Sequence, residues 1–491
     1  MKFIVFIIHV LADYILGGGV LNLLRKGKLL FGQIFIAILL GFFIETMISF
    51  VVIWSGGTLK TAFYILLGLM LFVNIKRLKQ FWKHPQVVFP TKQSFSFITG
   101  MKWHSWLLVL LIGQKIAMIV WQLYRMPTFL SDAIKHWSTQ GRALHAQVNF
   151  SMAPNTWEFL GRKLQVVLEY PLQLPIWRAM SALIGGEWNE FVSRSDSLLF
   201  FIIICGIVGS TFWMLTKKRW ITLGAVYIIA CLPLQVWHGG AGYADIAVEA
   251  YVVAAVACFI GKEWLLCGLF MAGAVWSKND GLALYLPGIL AAGFLYHVFS
   301  KEVKWITKIR KMSQFVIGFS FVLPWLIFQG LHSNSVFSKV ITPIKNLFSY
   351  QQYDPTNFEV VLTQVGENFE TSPPSYQLFW EHVFCGSTFG IFWLVVFAGL
   401  ILLSKKLLFD KMGRSLLLFY IITCIIIYYI FTYTPAYEFL LTQTTIHRTL
   451  LQFSAAALLV LGYGLSLQVN QDEKVLMNSN KKRGNKLSKG K

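Results

Sequence analysis

Apolar runs of roughly 18 residues or more recur along almost the whole chain, from Met1 to Asn470, each long enough to cross a bilayer core of about 30 Å. In lipid every backbone N–H and C=O must be satisfied internally, which leaves only helices or a closed β-barrel. The short, alternating apolar and polar strands of a barrel are not found in this sequence. Charged residues make up 13% of the chain and hydrophobic ones 56%, whereas a soluble domain carries about 25% charge. The fold class expected is therefore an all-α polytopic membrane protein.

Placed by length and hydropathy, the spans fall at 3–23, 30–53, 59–75, 105–124, 197–216, 220–237, 243–261, 264–277, 281–299, 312–330, 388–404, 415–433 and 449–468, roughly thirteen in all. Met1 to Leu24 has the shape of a signal peptide, but another span follows at once, so it is expected to stay as a helix. The net charge of +21 points to no nucleic-acid partner, because its surplus sits in short turns. These are Arg25, Lys26 and Lys28; Lys76, Arg77, Lys79 and Lys83; Lys217, Lys218 and Arg219; Lys301, Lys304, Lys308, Arg310 and Lys311; and the tail Lys481-Lys482-Arg483. Such turns face the cytoplasm and anionic lipid. Every one falls on the inner face if the amino terminus lies outside and the carboxy terminus in the cytoplasm. Five of the six cysteines (Cys205, Cys231, Cys258, Cys267 and Cys424) lie in apolar runs and Cys385 does not; none has metal or disulfide spacing.

The chain then divides into N-terminal transmembrane helices (1–124), an outer loop (125–196), a transmembrane core (197–330), a second outer loop (331–387), C-terminal transmembrane helices (388–470) and a basic cytoplasmic tail (471–491). The tail's polar composition predicts disorder. The second loop leans acidic through Asp354, Glu359, Glu367, Glu370 and Glu381. In the first, Ser131 can cap a helix over Ala133–Ala146 whose Ile134, Trp137, Gly141 and Leu144 share a stripe. That helix would lie in the interface, with Lys135, Arg142 and His145 near headgroups or ligand.

This topology puts Asp132, Asp245, Lys278-Asn279-Asp280 and His447-Arg448 on the outer face. Asp132 opens the first outer helix, where a carboxylate suits a general base or metal ligand, or simply answers the helix dipole. The turn from His238 to Asp245 is glycine-rich and admits close ligand approach, though glycines also make ordinary turns. Asn279 or Asp280 can cap the helix from Leu282. Lys278 and Arg448 are cations placed beside helix amino termini, where the dipole disfavours them unless an anion is present. A phosphate clamp is one explanation, and snorkelling to headgroups the other. Inside the spans lie His9, Asp13, Glu45, Lys115 and Glu249, which form either a structural pair of Lys115 with Glu45 or Asp13, or a proton or ion relay.

Several patches together resemble the GT-C superfamily of membrane glycosyltransferases. They are Leu130-Ser131-Asp132-Ala133 with His136-Trp137 and Arg142-Ala143-Leu144; Glu169-Tyr170-Pro171-Leu172-Gln173-Leu174-Pro175; Gly242-Tyr243-Ala244-Asp245; Ser277-Lys278-Asn279-Asp280-Gly281; and His447-Arg448-Thr449-Leu450-Leu451. That superfamily, which includes protein O-mannosyltransferases and lipid A aminoarabinose transferases, uses polyprenyl-phosphate sugars. The resemblance implies inverting transfer of a sugar from such a donor to an acceptor hydroxyl on a glycan, lipid or protein at the extracytoplasmic face. Asp132 would be the catalytic base. Lys278, Arg448 and His447 would hold the donor phosphate. Asp245, Asp280, Asn279 and Tyr243 would hold sugar, acceptor or a divalent cation, the one cofactor entertained. Two features depart from the pattern: three spans precede the one feeding the first loop, where the family has one, and Ala133 stands where many members carry a second acid. The competing classes are an outer-leaflet polysaccharide polymerase or ligase and a non-enzymatic lipid-linked glycan flippase. A transferase gathers its polar groups at an outer cavity; a transporter gathers them near the midplane.

Overall fold

The computed structural model describes residues 2–24, 32–83, 101–128, 130–147, 158–159, 162–163, 170–298, 304–332, 375–386, 388–434, 436–441 and 445–488. Helices α1 (Lys2–Leu24), α2 (Gln33–Trp54), α3 (Leu59–Lys83) and α4 (Trp103–Arg125) lead to a π-turn at Ala133–Ser138 that continues as α5 (Thr139–Gln147). Next come α6 (Gln173–Gly185), α7 (Glu190–Thr216), α8 (Arg219–Ala230), α9 (Pro233–Ala241), α10 (Asp245–Ile260) and α11 (Trp264–Ser277). A second π-turn at Gly281–Tyr285 opens α12 (Leu286–Val298), followed by α13 (Trp305–Phe319), α14 (Leu323–His332), α15 (Ser375–Phe384), α16 (Phe392–Phe409), α17 (Lys411–Tyr433), α18 (Tyr437–Leu441) and α19 (Ile446–Ser488). Apart from a two-residue antiparallel pairing of Glu158–Phe159 with Arg162–Lys163, every regular element described is helical.

Among the described residues nine helices are long and apolar enough to cross a membrane, which makes this a multi-pass helical membrane protein. The remaining expected spans are less regular. The run at 220–237 is two helices, α8 and α9, bent by 64°. The break falls at Pro233, which cannot donate to the preceding turn and holds Leu232 extended. The apolar part of α3 ends at Ile75, and α11 has only 14 residues. Helix α10 is 16 residues long and carries Asp245 and Glu249. The basic tail, expected to be disordered, continues α19 as helix to Ser488; no proline lies between Ile446 and Ser488 to stop it.

Helix α10 is buried along nearly its whole length, packed by α11, α19 and α7. Its Ala247, Ala250, Ala254 and Ala255 let those neighbours approach, the way helices associate where lipid supplies no hydrophobic drive. Two reciprocal glycine contacts work likewise. A Cβ on Gly17 would overlap the Ala37 carbonyl and one on Gly41 the Asp13 carbonyl, which fixes α1 against α2. Gly268 and Gly318 do the same for α11 and α13, through the Phe315 and Leu265 carbonyls.

The outer-loop helix is only partly as expected. Trp137, Gly141 and Leu144 are buried, but Ile134 is exposed. The segment opens without a side-chain cap, and wide turns replace regular α-helix up to Ser138. Gly141 meets the Pro175 carbonyl and the stem of Arg178, so this helix lies on α6. Of the acids named in the second loop, Asp354, Glu359, Glu367 and Glu370 lie outside the described residues.

Candidate functional site

Four sequence-distant segments meet at one end of the bundle. Asp245 opens α10 with a carboxylate that is 0% exposed, and everything else is arranged around it. Arg448, at the start of α19, places Nε 2.9 Å and Nη2 2.8 Å from Asp245 Oδ2. Its Nη1 lies 2.7 Å from Asp132 Oδ2. Lys278 Nζ lies 3.0 Å from Asp245 Oδ1 and 2.7 Å from Asp280 Oδ2. Gln452, one turn after Arg448, donates to Asp245 Oδ1 at 2.6 Å and to Asp280 Oδ2 at 2.9 Å. The Arg448 guanidinium sits 4.3 Å from the centre of the Tyr243 ring. Basic Lys262 lies beyond the other end of α10, roughly a 24 Å helix length away.

Exposure separates the acids. The Asp132 side chain is 36% accessible and that of Asp280 26%, against none for Asp245. Asp245 is a buried hub, and Asp132 and Asp280 are the carboxylates that a ligand can reach. Burial opposes the charge of Lys278, but Asp245 and Asp280 outweigh it and raise its pKa above the ordinary lysine value. His136 stacks on Tyr170 at 4.1 Å beside Asp132. Burial lowers the His136 pKa, against the pull of Asp132, and raises that of the Tyr170 hydroxyl.

Lys278 corrects the dipole argument, because it closes α11 at the carboxyl end, where a cation is favoured. Arg448 does stand at an amino end, and there Asp245 and Asp132 supply the anions. Asn279 is exposed; its carbonyl, rather than a side-chain cap, receives the Leu282 and Ala283 N–H groups. Asp280 makes no side-chain cap either. His447 is not in the cluster: its ring lies against His382 at 5.1 Å and Phe389 at 6.4 Å. Adjacent helical residues project about 100° apart, so only one of His447 and Arg448 can face Asp245. Nor does the donor set fit the divalent cation entertained at Asp245 and Asp280, since Lys278, Arg448 and Gln452 already occupy the facing oxygens.

What holds these segments together was not singled out from the sequence. Arg178 in α6 donates to Asp196 through Nε at 2.8 Å and Nη2 at 3.2 Å, and both side chains are fully buried. It also reaches Ser138 Oγ at 3.1 Å and the Gly242 carbonyl at 2.9 Å. One guanidinium thus ties the Asp132 segment and the Tyr243 turn to α7. Gly242 has φ +80° and stands against both Arg178 and Arg194. Arg194 donates to the Gly240, Leu123 and Met126 carbonyls and so closes the ends of α9 and α4. Tyr285 fixes α12 to α19, its hydroxyl 3.2 Å from the Thr449 carbonyl and 3.1 Å from Gln452 Oε1.

The intramembrane groups pair differently from the expectation. Glu45 meets His9 rather than Lys115, and Asp13 accepts from Trp177; Lys115 forms no ion pair among the described residues. Glu249 accepts from Ser454 Oγ at 2.7 Å and from the Ala455 N–H at 3.2 Å. Compared with family models, curated proteins and solved structures, the chain finds no match.

Proposed function

We propose that this chain is a GT-C-type glycosyltransferase, moving a sugar from a polyprenyl-phosphate donor to an acceptor hydroxyl at the extracytoplasmic face. The observation that carries this reading is the bridging of Asp132 and Asp245 by Arg448, with Lys278 on the same Asp245. A partly exposed carboxylate held by one cation, with a second cation on the buried Asp245 behind it, suits base-assisted transfer from a phosphate ester.

Both cations are answered by carboxylates, Arg448 by Asp132 and Asp245 and Lys278 by Asp245 and Asp280. A donor phosphate that reaches Arg448 therefore has to displace one of them. Asp132 is the exposed partner and Asp245 the buried one, so Asp132 yields. Donor binding then frees the base. The acceptor oxygen attacks the anomeric carbon as the bond from that carbon to the phosphate oxygen breaks, with inversion. Its proton passes to Asp132, and polyprenyl phosphate leaves with its added charge held by Lys278 and Arg448. Asp280 and Tyr243, both partly exposed and touching Lys278 and Arg448 respectively, would meet sugar or acceptor hydroxyls. No step needs a metal at this site.

The test is transfer from a polyprenyl-phosphate sugar in membranes carrying Asp132→Asn. Loss of a general base lowers turnover by about 10²–10⁴-fold. Turnover near the wild-type rate would remove the base assignment. A polysaccharide polymerase or ligase would instead need two lipid-linked glycans in the same assay.

A further inference from the structure

A second ionisable cluster lies inside the bundle, where the transfer reaction makes no use of it. We propose that His9, Asp13 and Glu45 hold a divalent transition-metal ion of the Zn²⁺ or Mn²⁺ class, bound between α1, α2 and α6. Each of the three offers one ligand atom, these atoms lie within 4.8 Å of one another, and all three side chains are buried. Ligands at ~2 Å from a common ion sit up to ~4 Å apart, so small carboxylate movements complete the coordination.

The supporting hydrogen bonds point the same way. Ser181 Oγ lies 2.7 Å from His9 Nδ1, which leaves Nε2 facing Glu45 Oε1 at 2.7 Å. A metal-bound histidine is oriented in this manner, by a partner on its other ring nitrogen. The Trp177 ring stacks on His9 at 4.4 Å and 6°, and its Nε1 donates to Asp13 Oδ2 at 3.1 Å. Asp13 Oδ1 is buried with no hydrogen-bond partner among the described residues. The close contact of Gly41 with the Asp13 carbonyl fixes the distance between the two helices that carry the ligands. Charge completes the argument. Two carboxylates packed side by side in an apolar bundle need a counter-charge. A dication balances both, and one nitrogen with two oxygens suits zinc or manganese.

The full chain, purified in detergent without chelator, is analysed for metal by mass spectrometry. Roughly one zinc or manganese per chain is expected, because a closed site of this kind couples metal binding to folding. EDTA should lower the thermal transition, and added Zn²⁺ or Mn²⁺ should restore it. His9→Ala and Glu45→Gln should lose the metal; the second is isosteric and keeps the test alive if the first misfolds. Metal content far below one per chain, with no shift on adding either ion, would overturn the site in favour of carboxyls sharing protons. So would metal retained in an Asp13→Asn/Glu45→Gln double variant. The readout involves neither donor nor acceptor, so it stands or falls apart from the transferase reading.

Discussion

Arg178→Met is the most informative perturbation of the framework that carries the site. Methionine keeps much of the apolar stem but removes the two bonds to Asp196, at 2.8 and 3.2 Å, and those to Ser138 and Gly242. Among the described residues, Asp196 would be left buried with the Ser197 N–H at 2.7 Å and the Ser197 hydroxyl at 3.3 Å as its donors. Breaking a buried ion pair on one side costs about 3–5 kcal/mol. Replacing both partners with apolar groups, Arg178→Met with Asp196→Leu, removes the orphaned charge and should recover most of that loss. It should not recover all, because the Ser138 hydroxyl and Gly242 carbonyl still lack their donor, at ~1 kcal/mol or more each. Reversible unfolding in mixed micelles of rising SDS content, followed by helical circular dichroism, measures all three variants. The double variant should also stay folded yet perform poorly in the transfer assay, since the buried Arg178 tie between the Ser138 and Gly242 segments is gone and Arg448 alone still spans Asp132 and Tyr243. An Arg178→Met chain within about 1 kcal/mol of wild type would refute the clamp, because losses that small are ordinary for surface positions.

Other consequences follow from the same contacts. Gly17→Val and Gly268→Val should each destabilise by about 1–3 kcal/mol through overpacking, whereas Gly68→Ala, where nothing lies within 4 Å, should be neutral or stabilising; thermal transitions in detergent separate the two groups. Gln452→Leu leaves Asp245 and Asp280 short of a donor and should cost about 1–3 kcal/mol, read in the SDS titration above. Burial holds the His136 pKa below its ordinary value, so the unfolded chain binds the proton more readily. Stability is then intact above about pH 6.5 and falls as the pH drops below it. His136→Phe should flatten that slope, and an unchanged slope would remove His136 from the account.

The membrane class was legible because span length is a property of single segments. Runs such as 105–124 and 415–433 announce themselves with no knowledge of their neighbours, and the structure gives them as α4 and α17. Irregular spans were legible only in part. Pro233 marks a break, but its 64° bend depends on how α8 and α9 pack. The π-turns that follow Asp132 and Asp280 have no sequence signal at all, yet both stand at residues of the ion cluster.

The site was legible to the extent that its residues sit at helix ends. Asp132, Asp245, Lys278 and Arg448 stood out as polar groups flanking greasy runs, and charge then brought them together. Partnership was not legible, because it is set by helix rotation. Arg448 and Gln452 are four residues apart and share a face, so Gln452 joins Asp245 while His447, next to Arg448, turns to His382. Asp245 and Glu249 have the same spacing, and both face α19, at Gln452 and Ser454 respectively. Arg178 and Asp196 were invisible for a related reason: they lie on two different helices, and only α6 packing on α7 brings them to 2.8 Å. A polar residue at a span end can be read one at a time. One inside a span acquires its meaning from the helix opposite, which is why the Arg178 pair, rather than the exposed acids, decides whether the cluster assembles.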